Sequence, residues 1–219
     1  MKAIRNSLVL LSFFLGIRAD AQEAIVISHY VFPGFQKGSV HQKNGGNSDA
    51  MLNYNVLSKE IIFETAPGKY LALANPENVD TVFIQERKFV PVNDEFYELL
   101  TATAYPLFLQ YQCTVKEPGT SIGYGMSSVT TASPAVKSLI KRGGAYNLSL
   151  PDGFEVVPVY NYWIFADGKY QKANTAKQLA AALPGKKNQV NELVKKNNTN
   201  FTKKADMIEL IKQLNKVPE

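Results

Sequence analysis

The chain has 219 residues, enough for one domain, or one domain with a small appendage, to bury a proper core. Its only cysteine, Cys113, excludes an intramolecular disulfide, so packing must supply the stability. The formal net charge of +5 is unevenly spread, because residues 22–168 carry 10 basic and 14 acidic side chains whereas residues 169–219 carry 11 and 4. The basic character therefore belongs to the C-terminal tail.

Residues 1–21 have the three parts of a secretory signal peptide. Lys2 and Arg5 come first, an apolar stretch covers residues 8–17, and Ala19-Asp20-Ala21 is a small-x-small cleavage site. The alternative, an uncleaved membrane anchor, needs about 20 apolar residues, and this stretch is roughly half as long. We therefore expect cleavage before Gln22 and export to the periplasm or cell surface, without a lipid anchor or a later membrane span.

The segment from about residue 35 to 116 consists of short apolar runs separated by turn residues, which predicts an antiparallel meander. Asn44-Gly45-Gly46-Asn47 and Ala66-Pro67-Gly68-Lys69 have the residues that tight turns require. So many hairpins predict a curved sheet or open barrel, because a large flat sheet would leave long edges exposed. The predicted strands are residues 38–41, 52–56, 60–64, 70–74, 79–84, 88–92, 96–100 and 107–115.

The remainder of the β-rich part is a loop followed by one strand. Residues 116–134 are rich in Gly, Ser, Thr and Pro, which predicts a loop packed over a sheet edge. Residues 154–165 then read as the final strand, which closes the core. We therefore predict an α+β fold with a β-rich domain at residues 22–168.

The tail at residues 169–219 changes to a helical period and predicts three short helices packed on the domain. Thr175 caps the first, which runs to Leu183 and is stopped by Pro184. The second ends near Asn197. The third carries apolar residues at i, i+3, i+4 and i+7, which should be buried. The apolar stripes of the second and third helices are Val190, Leu193 and Val194, then Met207, Leu210, Ile211 and Leu214.

Lysines of the tail form a candidate face for an anionic partner, such as a lipid head group, a glycan or an acidic protein. The alternative is a solvated surface that only keeps the helices soluble. On the third helix we expect the lysines, from Lys203 onward, to stay in solvent. The candidate residues are Lys195, Lys196, Lys203, Lys204, Lys212 and Lys216.

Motifs for catalysis or metal binding are absent from the sequence. His29 and His41 do not have the spacing of a zinc site. In Gly123-Tyr124-Gly125-Met126-Ser127-Ser128 the serines follow both glycines, whereas a nucleophile elbow needs a serine between them, so a turn or bulge is predicted. Cys113 lies in an apolar strand and is predicted to be a small buried hydrophobe. No metal or cofactor is expected.

Two groups of side chains leave alternatives open. Asp94, Glu95 and Glu98 could act as paired acids across a cleft, or simply solvate a turn. Large aromatic residues near both ends of the domain could line a glycan or peptide groove, or belong to the core. These aromatic residues are Tyr30, Phe32 and Phe35, and Tyr160, Tyr162, Trp163 and Phe165.

Three segments carry a resemblance to a known group of proteins: residues 52–55, residues 79–84 with 87–90, and residues 96–100. With the Tyr162-Trp163 strand and the Lys-rich tail, they make the chain similar to a family of uncharacterised secreted β-rich proteins from Bacteroidetes. The resemblance implies a periplasmic or surface location in a Gram-negative cell. It implies no activity and no catalytic residues.

We therefore consider three functions. The preferred one is an exported, non-enzymatic envelope protein whose sheet offers a binding surface and whose tail docks to the body or to an anionic partner. The alternatives are a hydrolase or carbohydrate-active enzyme whose acids converge only in three dimensions, and a carrier or chaperone with an apolar cavity. A pocket joining buried acids would favour the enzyme, and a shallow aromatic surface the binding module. No nucleic-acid partner is predicted, and the oligomeric state is left open.

Overall fold

The computed structural model describes residues 29–116, 121–122, 126–127, 130–131, 141–142 and 145–216, with side chains in 29–116 and 146–216. The predicted signal peptide at residues 1–21 and most of the predicted loop at residues 116–134 lie outside these ranges.

All eight strands predicted before residue 116 are present, with small shifts at their ends. They are β1 (Gln36–Gln42), β2 (Asn47–Asn55), β3 (Glu60–Ala66), β4 (Lys69–Ala72), β5 (Val79–Ile84), β6 (Arg87–Val92), β7 (Glu95–Thr101) and β8 (Leu107–Lys116). Five two-residue strands follow: β9 (Ser121–Ile122), β10 (Met126–Ser127), β11 (Thr130–Thr131), β12 (Lys141–Arg142) and β13 (Ala145–Tyr146).

The predicted strand at residues 154–165 is β14 (Glu155–Ala166), but it is not the last strand of the sheet. A further strand, β15 (Lys169–Lys172), pairs with it through a tight turn at Asp167 and Gly168, whose φ angles of 52° and 71° are both left-handed. The sheet therefore continues past residue 168, and the helical part begins only at residue 176.

The main sheet is antiparallel throughout, in the order β15-β14-β8-β7-β6-β5-β1-β2-β3-β4, with β11 paired to β8. It is strongly curved. The rings of Tyr54 on β2 and Tyr111 on β8 lie 5.7 Å apart, although five strand spacings would separate them by about 24 Å in a flat sheet. The prediction of an α+β fold with a curved, open antiparallel sheet and C-terminal helices is confirmed.

Three helices cover one face of the sheet, at the predicted positions: α1 (Ala176–Ala182), α2 (Lys187–Asn197) and α3 (Lys204–Lys216). Thr175 caps α1 by accepting a hydrogen bond from the Gln178 backbone N–H at 3.2 Å. The predicted stripe of α3 is buried, and it joins one hydrophobic core with the sheet residues Leu109 and Tyr162. None of the helices in the described part of the chain has the length and apolarity of a membrane span.

Strand alternation assigns every residue of the central strands to one of two faces. The inner face, which carries Phe89, Leu109 and Tyr162, packs against the helices. The outer face carries Phe108 and Trp163, and the described helices do not cover it.

Candidate functional site

The outer face carries a second, smaller hydrophobic cluster. Its centre is a row of directly paired residues across five adjacent strands, from Lys88 on β6 through Leu99, Phe108 and Trp163 to Lys172 on β15. Side chains opposite each other in neighbouring strands lie close enough to pack. The row therefore places apolar groups in the middle and a lysine at each end.

Five rings on this surface form what we call the aromatic face. The Tyr97 and Trp163 rings are stacked with centroids 5.8 Å apart, and the Tyr170 ring lies edge-on to Phe108 at 5.1 Å. Tyr97 and Phe108 are buried beneath the others, whereas Trp163 and Tyr170 are half-buried and Phe165 is 37% exposed. Buried rings thus support exposed ones, which gives a rigid, shallow apolar surface. The aromatic face consists of Tyr97, Phe108, Trp163, Phe165 and Tyr170.

Hydrogen bonds fix the orientation of Trp163. Its indole Nε1 donates to Gln110 Oε1 at 3.1 Å, and Gln110 Nε2 donates to Glu95 Oε2 at 2.6 Å. Glu95 Oε1 in turn lies 2.5 Å from Lys59 Nζ, an ion pair that links the β2–β3 turn to β7. The ring therefore has a defined position before any partner arrives.

A chain of amides borders the aromatic face. Asn161 Nδ2 donates to Gln112 Oε1 at 2.8 Å, and Asn174 Nδ2 donates to Asn161 Oδ1 at 2.8 Å. Each amide group can form more hydrogen bonds than these, both as donor and as acceptor. Polar groups of this kind can therefore bind hydroxyls or carbonyls of a molecule lying on the rings.

Two lysines provide the positive charge around the aromatic face, and its buried tyrosine, Tyr97, is uncharged. Lys172 Nζ lies 5.6 Å from the centre of the Trp163 ring, and Lys88 Nζ lies 6.0 Å from that of Phe83. Burial, with smaller effects of Glu95 and Tyr170, raises the pKa of Tyr97 to about 12. The Tyr97 hydroxyl is therefore protonated at neutral pH.

The inner face contains a buried polar network around Glu98. Arg87 binds this carboxylate with two hydrogen bonds, Nε to Oε1 at 2.7 Å and Nη2 to Oε2 at 2.8 Å. Tyr111 donates to it at 2.5 Å, and Lys204 of α3 lies 3.0 Å from it. Burial alone would raise the pKa of Glu98, but Arg87, Tyr111 and Lys204 lower it below its usual value. Glu98 is therefore an ionised carboxylate that ties α3 to the sheet.

The three acids considered as a catalytic group do not come together. Asp94 is an exposed turn residue with a left-handed φ of 62°, Glu95 is paired with Lys59, and Glu98 points to the opposite face of β7. Residues three apart on a strand must face opposite ways. The structure therefore gives these carboxylates no shared cleft.

The two histidines and the cysteine lie in surroundings that indicate a structural role. His29 is fully buried, and burial lowers its pKa to about 4 despite the opposing effect of the Asn147 backbone, so the ring is neutral at pH 7. His41 pairs with Ser39 Oγ at 3.0 Å. Cys113 is buried as predicted, and burial raises its pKa to about 11.

Among the described residues, no three His, Cys, Asp or Glu side chains lie close enough together to hold a metal ion. The 123–128 motif lies outside the described side chains.

The aromatic residues considered as one groove lie on different faces of the sheet, because successive residues of a strand point to opposite sides. Tyr162 is fully buried in the core, whereas its neighbours Trp163 and Phe165 lie on the aromatic face. Near the start of the domain, the guanidinium carbon of Arg87 lies 4.4 Å from the centre of the Phe32 ring. The rings of Phe35 and Tyr70 are stacked with centroids 4.7 Å apart. These residues therefore do not form one groove with Trp163.

Three further members of the aromatic face, Tyr97, Phe108 and Tyr170, were not singled out in the sequence. One signal for them was available. The unbroken apolar run Leu107-Phe108-Leu109 indicates a strand with apolar groups on both faces, and β8 is such a strand.

The candidate lysines of the tail do not form one surface. Lys195 and Lys196 are exposed at the end of α2, near the exposed Lys203 before α3. Lys212 and Lys216 are exposed too, but they lie about 12 to 18 Å further along α3 than Lys204. The prediction that Lys204 stays in solvent holds only in part, because its side chain is 37% exposed but its Nζ binds the buried carboxylate of Glu98 at 3.0 Å.

Two surfaces thus carry candidate functions, the aromatic face and the separated lysines of the tail. Of the two, only the aromatic face combines fixed rings, amides and charge in one place. Comparison with known proteins found no relative: no family model, curated protein or solved structure is significantly similar to the chain.

Proposed function

We propose that this protein is an exported, non-enzymatic binding module of the cell envelope, and that the aromatic face is its binding surface. The observation that carries the proposal is the group of packed rings on the outer face, fixed from below by buried neighbours and by the hydrogen bond from Trp163 to Gln110. Partly exposed aromatic residues held in this way are typical of binding surfaces, because they bury apolar area at little cost in side-chain entropy.

The two alternatives receive less support from the described residues. An enzyme of the paired-acid type needs carboxylates across a cleft, and the separation of Glu95 from Glu98 speaks against that pair. A carrier needs an apolar cavity inside the curved sheet. Tyr54, Phe89 and Tyr162, all fully buried, occupy the inner face together with side chains of the helices, so packed groups take up that space.

Export makes a separate prediction about the N-terminus. Protein recovered from the envelope of a producing Gram-negative cell should begin at Gln22, because the small-x-small site ends at Ala21. Mass spectrometry of the intact protein measures this directly, with a cyclised Gln22 as an acceptable variant. Recovery of chains that still begin at Met1 from the membrane fraction would contradict processing.

The binding surface can be tested with the protein's own fluorescence, because Trp163 is the only tryptophan of the chain. Envelope fractions that bind should shift or quench its emission. Phe165→Ala should weaken that binding about tenfold, since a central aromatic contact contributes about 1 kcal/mol or more. Phe165 is 37% exposed, so the variant should remain folded.

Tyr160→Ala is the matched control, because Tyr160 is 40% exposed on the other face of the same strand. It should bind within twofold of the parent. Binding that leaves Trp163 emission unchanged and is insensitive to Phe165→Ala would refute the aromatic face as the site. If reversing Lys195, Lys196 and Lys203 to glutamate then abolished binding, the tail would be the docking surface.

A further inference from the structure

Charge on the outer face is unevenly matched. Glu95, which lies beside the rings, pairs with Lys59 at 2.5 Å, and Glu155, eight residues before Trp163 on β14, pairs with Lys116 at 3.0 Å. Lys88 and Lys172 instead lie over aromatic rings, and among the described residues neither has a carboxylate within ion-pair distance. The surface around the aromatic face therefore carries two positive charges without acidic partners.

These two charges stand at the ends of the apolar row. Four strand spacings separate Lys88 from Lys172, about 19 Å in a flat sheet, with Leu99, Phe108 and Trp163 between them. Along the same row the next acidic residue is Asp49, three strands beyond Lys88. The positively charged section thus coincides with the aromatic face.

We infer that the partner is an acidic polysaccharide, an inference that rests on the proposed function. Its sugar rings lie on Trp163 and Phe165, and its carboxylates pair with Lys88 and Lys172. The C–H groups of a sugar are weakly positive and pack on the negative face of an aromatic ring. The amides of Gln112 and Asn161, beside the rings, can bind sugar hydroxyls as donors and acceptors.

An acidic peptide is the main alternative partner, and the position of the site disfavours it. One common mode of recognition for an extended peptide is the pairing of its main chain with the edge of a sheet. Here four of the five rings lie on β7, β8 and β14, and only Tyr170 lies on the edge strand β15. A peptide paired with that edge would therefore lie beside the four rings and not over them. The face offers side chains only, which suits a ligand that presents ring faces and hydroxyls.

The test uses oligogalacturonate as the acidic probe and its methyl ester as the matched neutral probe, with Trp163 emission as the readout. The acidic probe should bind and the ester should bind at least about tenfold more weakly. Affinity for the acidic probe should fall as salt is added. Lys88→Gln with Lys172→Gln should weaken it about tenfold, whereas Lys212→Gln with Lys216→Gln, the same charge change on α3, should leave it within twofold.

Several results would overturn the inference while leaving the proposed function intact. Equal binding of the methyl ester would show that the face takes neutral sugars. Equal binding of polyglutamate would assign it to acidic peptides. Failure of every probe to change Trp163 emission, or insensitivity to the Lys88 and Lys172 changes, would also refute it. The proposed function fails on a different result, namely envelope binding that Phe165→Ala does not weaken.

Discussion

Replacing Glu98 by glutamine should lower the free energy of unfolding by about 3 kcal/mol, the lower end of the cost of breaking a buried ion pair. Glu98 is 3% exposed and is bound by both Arg87 and Lys204. A neutral amide would leave these two cations close together without a counter-charge. Their side chains are 28% and 37% exposed, so partial solvation keeps the cost at that lower end. Urea unfolding followed by circular dichroism measures the change.

Glu155→Gln is the matched control for this prediction. It makes the same chemical change in the Lys116–Glu155 ion pair, whose carboxylate side chain is 63% exposed. Exposed ion pairs contribute about 0 to 1 kcal/mol, so the control should be nearly silent. Equal effects of the two substitutions would mean that the Glu98 network does not hold α3 on the sheet.

The same network predicts a pH dependence. The pKa of Glu98 is lowered in the folded protein from its usual value of 4.5. A lowered carboxyl pKa contributes stability that is fully present above the unfolded value and is lost as the pH falls through the folded value. The stability gap between the parent and Glu98→Gln should therefore be constant from pH 7 to about 5.5 and should shrink below about 4.5. A gap that is undiminished at pH 3 would contradict the assignment.

Most of the fold could be predicted because its signals are local. Turn residues and alternating apolar positions located β1 to β8, and the helical period with Thr175 located the helices. The missed strand, β15, has only four residues, two of them lysines, and no apolar alternation. Its best signal was the Asp167-Gly168 pair, a strong hairpin turn sequence.

The candidate site was harder to predict because its members meet only through the sheet register. Lys88, Phe108 and Lys172 lie far apart in sequence and become neighbours by pairing of β6, β7, β8, β14 and β15. The contact between Lys204 and Glu98 spans 106 residues. Charge composition could show that the tail is basic, but it could not show which lysine is used to hold the tail in place.

Leu210→Ala should destabilise the protein by about 2 to 5 kcal/mol, the usual cost of removing most of a buried leucine side chain. Leu210 is 1% exposed and packs in the core shared by α3 and the sheet. Alanine favours helix slightly more than leucine, so the loss reports packing and not helix propensity. Thermal unfolding should show a clear drop in Tm.

Lys212→Ala is its control, since it introduces the same residue two positions away on the exposed side of α3. Surface changes of this kind stay within about 0.5 kcal/mol, so its Tm should match that of the parent. Apolar burial holds α3 in place, and Lys212 has no acidic partner among the described residues. The Tm values of the two variants should therefore differ clearly. A silent Leu210→Ala beside a destabilising Lys212→Ala would mean that the faces of α3 are reversed and that its lysines, not its leucines, contact the sheet.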